Sequence, residues 1–514
     1  MRIKLIAMLF LISLFSYCNG QEVSKGDYLI KKLEKAENSR DIQLIESLLA
    51  EDVALFSPNM PPVNGKAAIV SIYNFVFSRP EKQSAEYRVD SIYKDGNKHV
   101  ELGINTTKKL GQVADINKFK VVFKQMGKEY KIVEIYFGKE EDIKRDVPIL
   151  LTPTGKYKVG QSTHFYDKSN SGNNRLLSFQ IWYPTQTKSD LKAVYQSKEV
   201  VEASANFLGF PIFAVSYFSL IETNSYLNAT VLLNKQFPIL LYNHGYGGFT
   251  SVYQTVFEDL ASHGYIVVSI GHENESALLI KENGDVISNT PQNDFYSKRL
   301  PELNGSEIGR WQSEILNSNE FSKNDIAYKE MLKLTPLHNE STRFWQSDTE
   351  TTIEKLGQIN TFDKNLKGIF NFEQIGIFGH SLGGATAGQM CFGKTLIKAG
   401  INLDGFQFGD LYQNKLRVPF MFVSSNQEQD RYLRALTYIE NSEKDCFQVT
   451  IKGFSHDNFT DLKYIMEGDK EAMKLQRALI KSFFDKYLKN KKVNLNKLEE
   501  EYKKIKFSAS NISN

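Results

Sequence analysis

The chain has 514 residues, 63 Lys+Arg against 60 Asp+Glu for a net charge of +3, 41% hydrophobic and 12% aromatic residues, and three cysteines. That length predicts about two to four domains, and the apolar and aromatic content excludes disordered, collagen-like and coiled-coil classes. Charge this balanced provides no field for steering onto a nucleic-acid backbone, so no nucleic-acid partner is expected; three cysteines exclude a disulfide-stapled scaffold or a thiolate-rich metal site.

Arg2 and Lys4 precede an apolar run from Leu5 to Phe15, followed by Ser16-Tyr17-Cys18-Asn19-Gly20. These are the parts of a secretory signal peptide, residues 1–20, and the run is shorter than the ~20 apolar residues a spanning helix needs. Cleavage after Gly20 predicts a secreted or periplasmic protein. A lipoprotein anchored at Cys18 is the alternative, although Tyr17 fits poorly where a small residue is usual. The remaining Cys391 and Cys446 are expected to be buried free thiols.

Residues 25–50 carry Leu29, Ile30, Leu33, Ile42, Ile45, Leu48 and Leu49 at helical spacing, broken by Asn38-Ser39-Arg40-Asp41, which offers caps for a second helix. A further helical stretch runs around Ile69 to Phe77. Tyr87–Tyr93, His99–Asn105, Lys118–Gln125 and Tyr130–Phe137 then have strand patterns, with a hairpin turn at Met126-Gly127-Lys128-Glu129. Helices followed by a curved antiparallel sheet predict an α+β domain of about 115 residues. Asn38-Ser39-Arg40-Asp41, Leu48-Leu49-Ala50-Glu51-Asp52-Val53, Asn64-Gly65-Lys66, Phe119–Phe123 and Tyr130–Val133 together resemble the NTF2-like (SnoaL-type) family. The resemblance implies a cone domain over residues 22–140. Such cones host enzymes, ligand pockets and interaction modules, so the partner or ligand of this one stays open. Residues 25–138 contain no close Asp/His pair, which argues against catalysis there.

The second half alternates strand-like apolar runs with helical stretches: Leu177–Tyr183, Phe237–Tyr242, Tyr265–Ile270, Ile375–Phe378, Ala399–Leu403, Val418–Ser424 and Phe447–Ile451. Little alternation within several of them predicts strands buried on both faces of a mostly parallel sheet. Residues 273–370 look like a polar, lid-like insertion, and 491–514 like a frayed polar tail.

The stretch Ile375–Ala387 contains Gly379-His380-Ser381-Leu382-Gly383 between a buried strand and a small-residue helix. A G-x-S-x-G turn in that setting projects Ser381 at the sheet's edge. A serine nucleophile needs a base and an acid that orients it. In a fold of this order the base comes last in the chain, and among the eight histidines only His456 follows Ser381. Two carboxylates are candidates for the acid. Asp404 directly ends its strand; Asp430 lies beyond the next one. Backbone N–H groups of Leu382 and of Tyr246, in Asn243-His244-Gly245-Tyr246-Gly247-Gly248, are placed to form an oxyanion hole. No cofactor or metal is implied; His272-Glu273-Asn274-Glu275 has no clustered ligand set beside it.

Those motifs resemble the plasma-type platelet-activating-factor acetylhydrolases and their bacterial relatives. So do Asn402-Leu403-Asp404-Gly405, Ser455-His456-Asp457-Asn458, Pro153–Gly160 and Gln180-Ile181-Trp182-Tyr183-Pro184. The resemblance covers about residues 150–485 and implies an α/β-hydrolase domain, 148–490, with Ser381 as nucleophile, His456 as base and Asp404 rather than Asp430 as acid. It implies a serine ester hydrolase acting on small-molecule or lipid esters with short acyl groups. The apolar stretch Phe207–Ile221 could line an acyl pocket, touch a membrane surface or pack on the sheet. The alternative function is a non-catalytic binding protein built on a hydrolase scaffold.

Overall fold

The structure is a computed structural model that describes residues 28–57, 61–78, 83–109, 112–138, 147–167, 175–186, 191–208, 212–232, 234–289, 298–317, 321–393, 395–425, 438–439 and 442–511. The signal-like segment 1–20 and Asp430 lie outside the described residues. The chain forms two compact units, divided between Val147 and Pro148.

In the first unit, helices α1 (Ile30–Ser39), α2 (Ile42–Leu48) and α3 (Lys66–Ser78) accompany six strands: β1 (Leu49–Phe56), β2 (Val63–Asn64), β3 (Gln83–Asp95), β4 (Lys98–Lys109), β5 (Gln112–Met126) and β6 (Glu129–Phe137). The sheet order is β2-β1-β6-β5-β4-β3. The break between α1 and α2 forms as its residues dictate: Arg40 takes a left-handed conformation (φ 54°), and the Asp41 side chain caps α2 by accepting from Leu44 N. Glu101, on β4, accepts from Leu29 N and Ile30 N at 2.8 and 2.9 Å and so satisfies the orphan donors at the start of α1.

Two expectations for this unit change. The helical spacing ends at Leu48, because Leu49 already begins β1. The sheet is not wholly antiparallel, since β1 runs parallel to β6 (Ala54 opposite Glu134, Leu55 opposite Ile135). Within the unit a cavity of about 210 Å³ is lined by apolar residues such as Leu55, Ile69 and Phe137 and by Glu37. Tyr73 and Tyr87 hydroxyls donate to Glu37 Oε1 at 2.8 and 3.2 Å. Burial pushes the Glu37 carboxyl up to about 7, against the lowering effect of those two bonds.

The second unit contains β7 (Lys158–Asp167), β8 (Leu176–Thr185), β9 (Lys192–Val194), β10 (Glu222–Leu227), β11 (Phe237–Asn243), β12 (Ile266–His272), β13 (Leu278–Ile280), β14 (Val286–Ser288), β15 (Phe370–His380), β16 (Ile397–Leu403), β17 (Phe420–Ser424), β18 (Cys446–Ile451) and β19 (Ile505–Asn511). Apart from the β13–β14 hairpin they build one 11-stranded sheet, β19-β18-β17-β16-β15-β11-β12-β8-β7-β10-β9. The run from β18 to β12 is parallel throughout. All seven residues of β11 and of β12 are buried, as strands covered on both faces require.

The chain moves from β11 to β12 on one side, then returns to place β15 on the other side of β11. The carboxyl ends of β11 and β15 therefore flank the point where strand order reverses, which is where open α/β sheets form their binding crevice. Cys391 and Cys446 are buried free thiols, and burial raises both above the usual thiol range.

The insertion and the tail depart from expectation. Residues 336–362 form one 27-residue helix that carries the return crossover. Trp345 and Leu356 on it are fully buried in the main core, so this part is a core helix with a polar outer face. Residues 505–511 are not frayed: they form edge strand β19, antiparallel to β18 (Ile451 opposite Ile505). Ile505 is buried there, and lysines on a strand edge are what a solvent-facing edge tolerates.

Candidate active site

β15 ends at His380, and the helix Leu382–Gln389 starts immediately after Ser381. Ser381 sits at φ 56°, ψ −120°, a conformation that L-residues rarely adopt. Surrounding contacts hold it there. Its N–H donates to Leu403 O at 2.9 Å, and its carbonyl accepts from Gly384 N at 2.9 Å and Ala385 N at 3.2 Å. A Cβ on Gly383 would lie 2.0 Å from Asn243 O, and one on Gly405 would lie 2.1 Å from Ser381 O. Glycine is required at both positions so that three backbone segments can meet around the serine.

Asp404 follows β16 in a left-handed conformation, φ 54°, with its N–H on Val423 O at 2.7 Å. Its carboxylate is fully buried and doubly engaged. Oδ1 accepts from Ser425 N at 2.7 Å, and Oδ2 accepts from His456 Nδ1 at 2.8 Å. His456 stands at the start of a short 3-10 turn, where Ser455 N donates to Asn458 Oδ1 at 2.7 Å and fixes the loop after β18. Its side chain is 41% exposed, so Nδ1 is tied down while the ring still reaches solvent.

Ser381, His456, Leu382 and Tyr246 all line one cavity of about 420 Å³. The structure thus brings together five residues singled out from sequence: the serine, the histidine, both oxyanion-loop residues, and Asp404 behind the histidine. Val215 and Phe218 from the apolar stretch also line the cavity. Other parts of that stretch pack inward: Tyr217 is buried, and Phe207 fills the space a Gly247 side chain would need.

Behind the 243–248 loop lies a buried polar network that no local motif announces. His244 Nδ1 donates to Gly245 O at 2.6 Å, and its Nε2 accepts from the Ser276 hydroxyl at 2.8 Å, whose oxygen accepts from His272 N. Burial, with a smaller contribution from His272, pushes His244 down to about 3, so the ring is neutral and its tautomer is set. His272 stacks on Trp345 at 3.8 Å and meets Asp348 Oδ2 at 3.0 Å; Asp348 pairs in turn with Arg175. Glu275 O accepts from Gly247 N at 2.8 Å, and the Glu275 carboxylate pairs with Arg299 at 2.9 Å. Segment 272–277 is therefore the brace of the glycine loop.

Chain order excludes His380 as the base, yet its ring centroid lies 4.4 Å from that of His456. Burial, then the neighbouring His456, hold it well below the usual histidine range. Among the described residues no group of three or more His, Cys, Asp or Glu could hold a metal ion.

Strand order, the strained serine at a strand-to-helix turn and the buried Asp–His pair together define an α/β-hydrolase of the ester-hydrolysing class. The family model described as platelet-activating factor acetylhydrolase, isoform II matches residues 146–476. The chain belongs to that family. The platelet-activating factor acetylhydrolase of Bos taurus is 26% identical over 336 residues, covering 60% of this chain and 68% of the bovine protein. That of Canis lupus familiaris is 24% identical over 324 residues, with the same coverage of 60% and 68%. Among solved structures, a ferulic acid esterase from Streptomyces cinnamoneus superposes with a TM-score of 0.52 at 18% identity, over 71% of this chain and 100% of the esterase. That likeness establishes the shared fold.

Proposed function

We propose that the second unit cleaves short-acyl carboxylic esters, phospholipids among them, through an acyl-enzyme on Ser381. His456 takes the hydroxyl proton as Ser381 attacks the ester carbonyl, then delivers it to the departing alkoxide. Asp404 keeps the His456 proton on Nδ1, leaving Nε2 as the base. The N–H groups of Tyr246 and Leu382 hold the oxyanion. A water activated by His456 releases the acid and restores the serine.

The observation that carries this reading is the 2.8 Å bond between His456 Nδ1 and the buried Asp404 carboxylate, beside a cavity that Ser381 and His456 both line. The cavity volume of about 420 Å³ suits a small ester or one short chain of a larger one. The apolar wall at Val215 and Phe218 favours a lipid acyl group presented at a membrane surface, and the N-terminal segment favours secretion. The first unit is proposed as an NTF2-like module for a ligand or partner, on the basis of its helices, six-stranded sheet and cavity.

The test is hydrolysis of p-nitrophenyl esters of graded chain length by wild type and Ser381→Ala. The reading requires activity that declines with chain length and is lost in the variant; equal rates for the two proteins would overturn it.

A further inference from the structure

The wall of the active-site cavity carries a second histidine–carboxylate pair, supplied by the insertion between β12 and β15. His338 lines the cavity with Ser381 and His456. It lies in the first turn of the helix Pro336–Phe362 and is 4% exposed. Its Nδ1 meets Glu302 Oε2 at 2.7 Å, and the same carboxylate accepts from Leu337 N at 2.9 Å and His338 N at 3.3 Å. Phe408 stacks on the ring at 4.8 Å. Position and tilt of the imidazole are thereby fixed: Nδ1 is held on the carboxylate, and with the proton on Nδ1 the Nε2 lone pair can accept a hydrogen bond.

Nε2 itself has no hydrogen-bond partner among the described residues, and it is not sealed from solvent. The neighbouring wall is apolar, with Leu303 and Phe408 beside it. A phenylalanine would fill that space as well, so what the imidazole adds to the cavity lining is one hydrogen-bonding atom on the ring side opposite the Glu302 contact. Arg299 places this atom relative to the oxyanion loop. Its guanidinium bonds Leu337 O and Ser341, pairs with Glu275, and lies 5.8 Å from the Tyr246 ring. His338 thus stands on the Tyr246 side of the cavity, on a frame shared with the loop that would hold the oxyanion.

We infer that His338 is a specificity-determining residue whose Nε2 accepts a hydrogen bond from a hydroxyl group of the substrate, so that the enzyme favours esters bearing a hydroxyl besides the ester group. The inference rests on the ester-hydrolase reading of this cavity and names part of its substrate class. Glu302 acts through His338 as a positioning residue. A site built to bond a hydroxyl discriminates against the analogue that lacks it, because the bound analogue displaces water from Nε2 and offers no hydrogen bond in return.

The experiment compares kcat/KM for matched pairs: p-nitrophenyl 3-hydroxybutyrate against p-nitrophenyl butyrate for a hydroxyl on the acyl side, and glycerol monobutyrate against propyl butyrate for one on the alcohol side. Wild type is expected to favour the hydroxylated member of at least one pair by about tenfold or more. His338→Phe should bring that ratio close to one. Two further variants separate recognition from a structural role. His338→Gln keeps a polar atom near the Nε2 position and should retain most of the preference. His338→Asn keeps the Nδ1-like contact to Glu302 and should lose it. A wild-type ratio near one, an unchanged ratio in His338→Phe, or rescue by asparagine and not glutamine would each overturn the inference. Ser381→Ala run on the plain esters reports separately on the underlying reading, since retained hydrolysis there would fault the nucleophile and not His338.

Discussion

Replacing Asp404 with asparagine isolates the histidine's tautomer from the geometry of the site. In the native site Oδ1 accepts from Ser425 N at 2.7 Å and Oδ2 accepts from His456 Nδ1 at 2.8 Å. In Asp404→Asn the amide oxygen stays on Ser425, because that N–H can only donate, and the amide NH2 turns toward His456. An NH2 group cannot accept, so Nδ1 becomes the acceptor and the ring proton moves to Nε2, the nitrogen that takes the proton of Ser381 in the proposed mechanism. Misplacing that proton costs roughly 10⁴-fold in kcat, or about 5.4 kcal/mol of barrier. Both hydrogen bonds persist, the one to His456 with its polarity reversed, so the melting temperature should change little. The assay is kcat for p-nitrophenyl acetate with thermal unfolding alongside, and Asp430→Asn as comparison. A kcat for Asp404→Asn within about tenfold of wild type, or a larger loss from Asp430→Asn, would refute the assignment.

Burial raises the Asp461 carboxyl to about 7. Its folded-state value is above its unfolded one, so its contribution to stability is fully present below about pH 4 and is lost as pH rises to 7. Asp461→Asn, which can still accept from Thr255 N, should therefore stabilise the protein at pH 8 by up to roughly 4 kcal/mol and much less at pH 4; urea unfolding at the two pH values with no such difference would contradict this. Trp345→Ala should cost about 3–5 kcal/mol because the indole is fully buried in the core, whereas a detachable lid would unfold at an unchanged denaturant midpoint. Gly405→Ala drives a methyl group onto Ser381 O and should reduce ester hydrolysis by at least about a hundredfold; near-normal activity would show that the serine's strained backbone is dispensable.

The legible parts of this chain were those whose chemistry is local. Gly379-His380-Ser381-Leu382-Gly383 marks its own turn, and each of the seven apolar runs of the second half overlaps a strand of the sheet, although the runs from Tyr265 and Val418 begin shortly before β12 and β17. The parts that stayed hidden depend on distant partners. Apolar spacing continues through Leu48 and Leu49, and only pairing with β6 makes Leu49 the start of a strand. Lysines disguised β19, because an edge strand can present them to solvent. Spacing favours Asp404 over Asp430 without showing its partners, and what engages Asp404 is Ser425 N, 21 positions away, together with His456. His338 looks from sequence like one residue of a polar insertion; its significance comes from Glu302, 36 positions earlier, and from the cavity that it lines with Ser381 and His456. The Glu37 carboxyl in the first unit was invisible for the same reason, since Tyr73 and Tyr87 reach it from separate elements.

The central claim is that Ser381 is the nucleophile of an ester hydrolase, and covalent labelling tests it most directly. Wild-type protein treated with a fluorophosphonate should gain the mass of one phosphonyl group, mapping to the peptide that contains Ser381, with loss of ester hydrolysis in proportion to labelling. Ser381→Ala should gain none. Labelling on another residue, or full ester hydrolysis by protein in which Ser381 is quantitatively modified, would contradict the account.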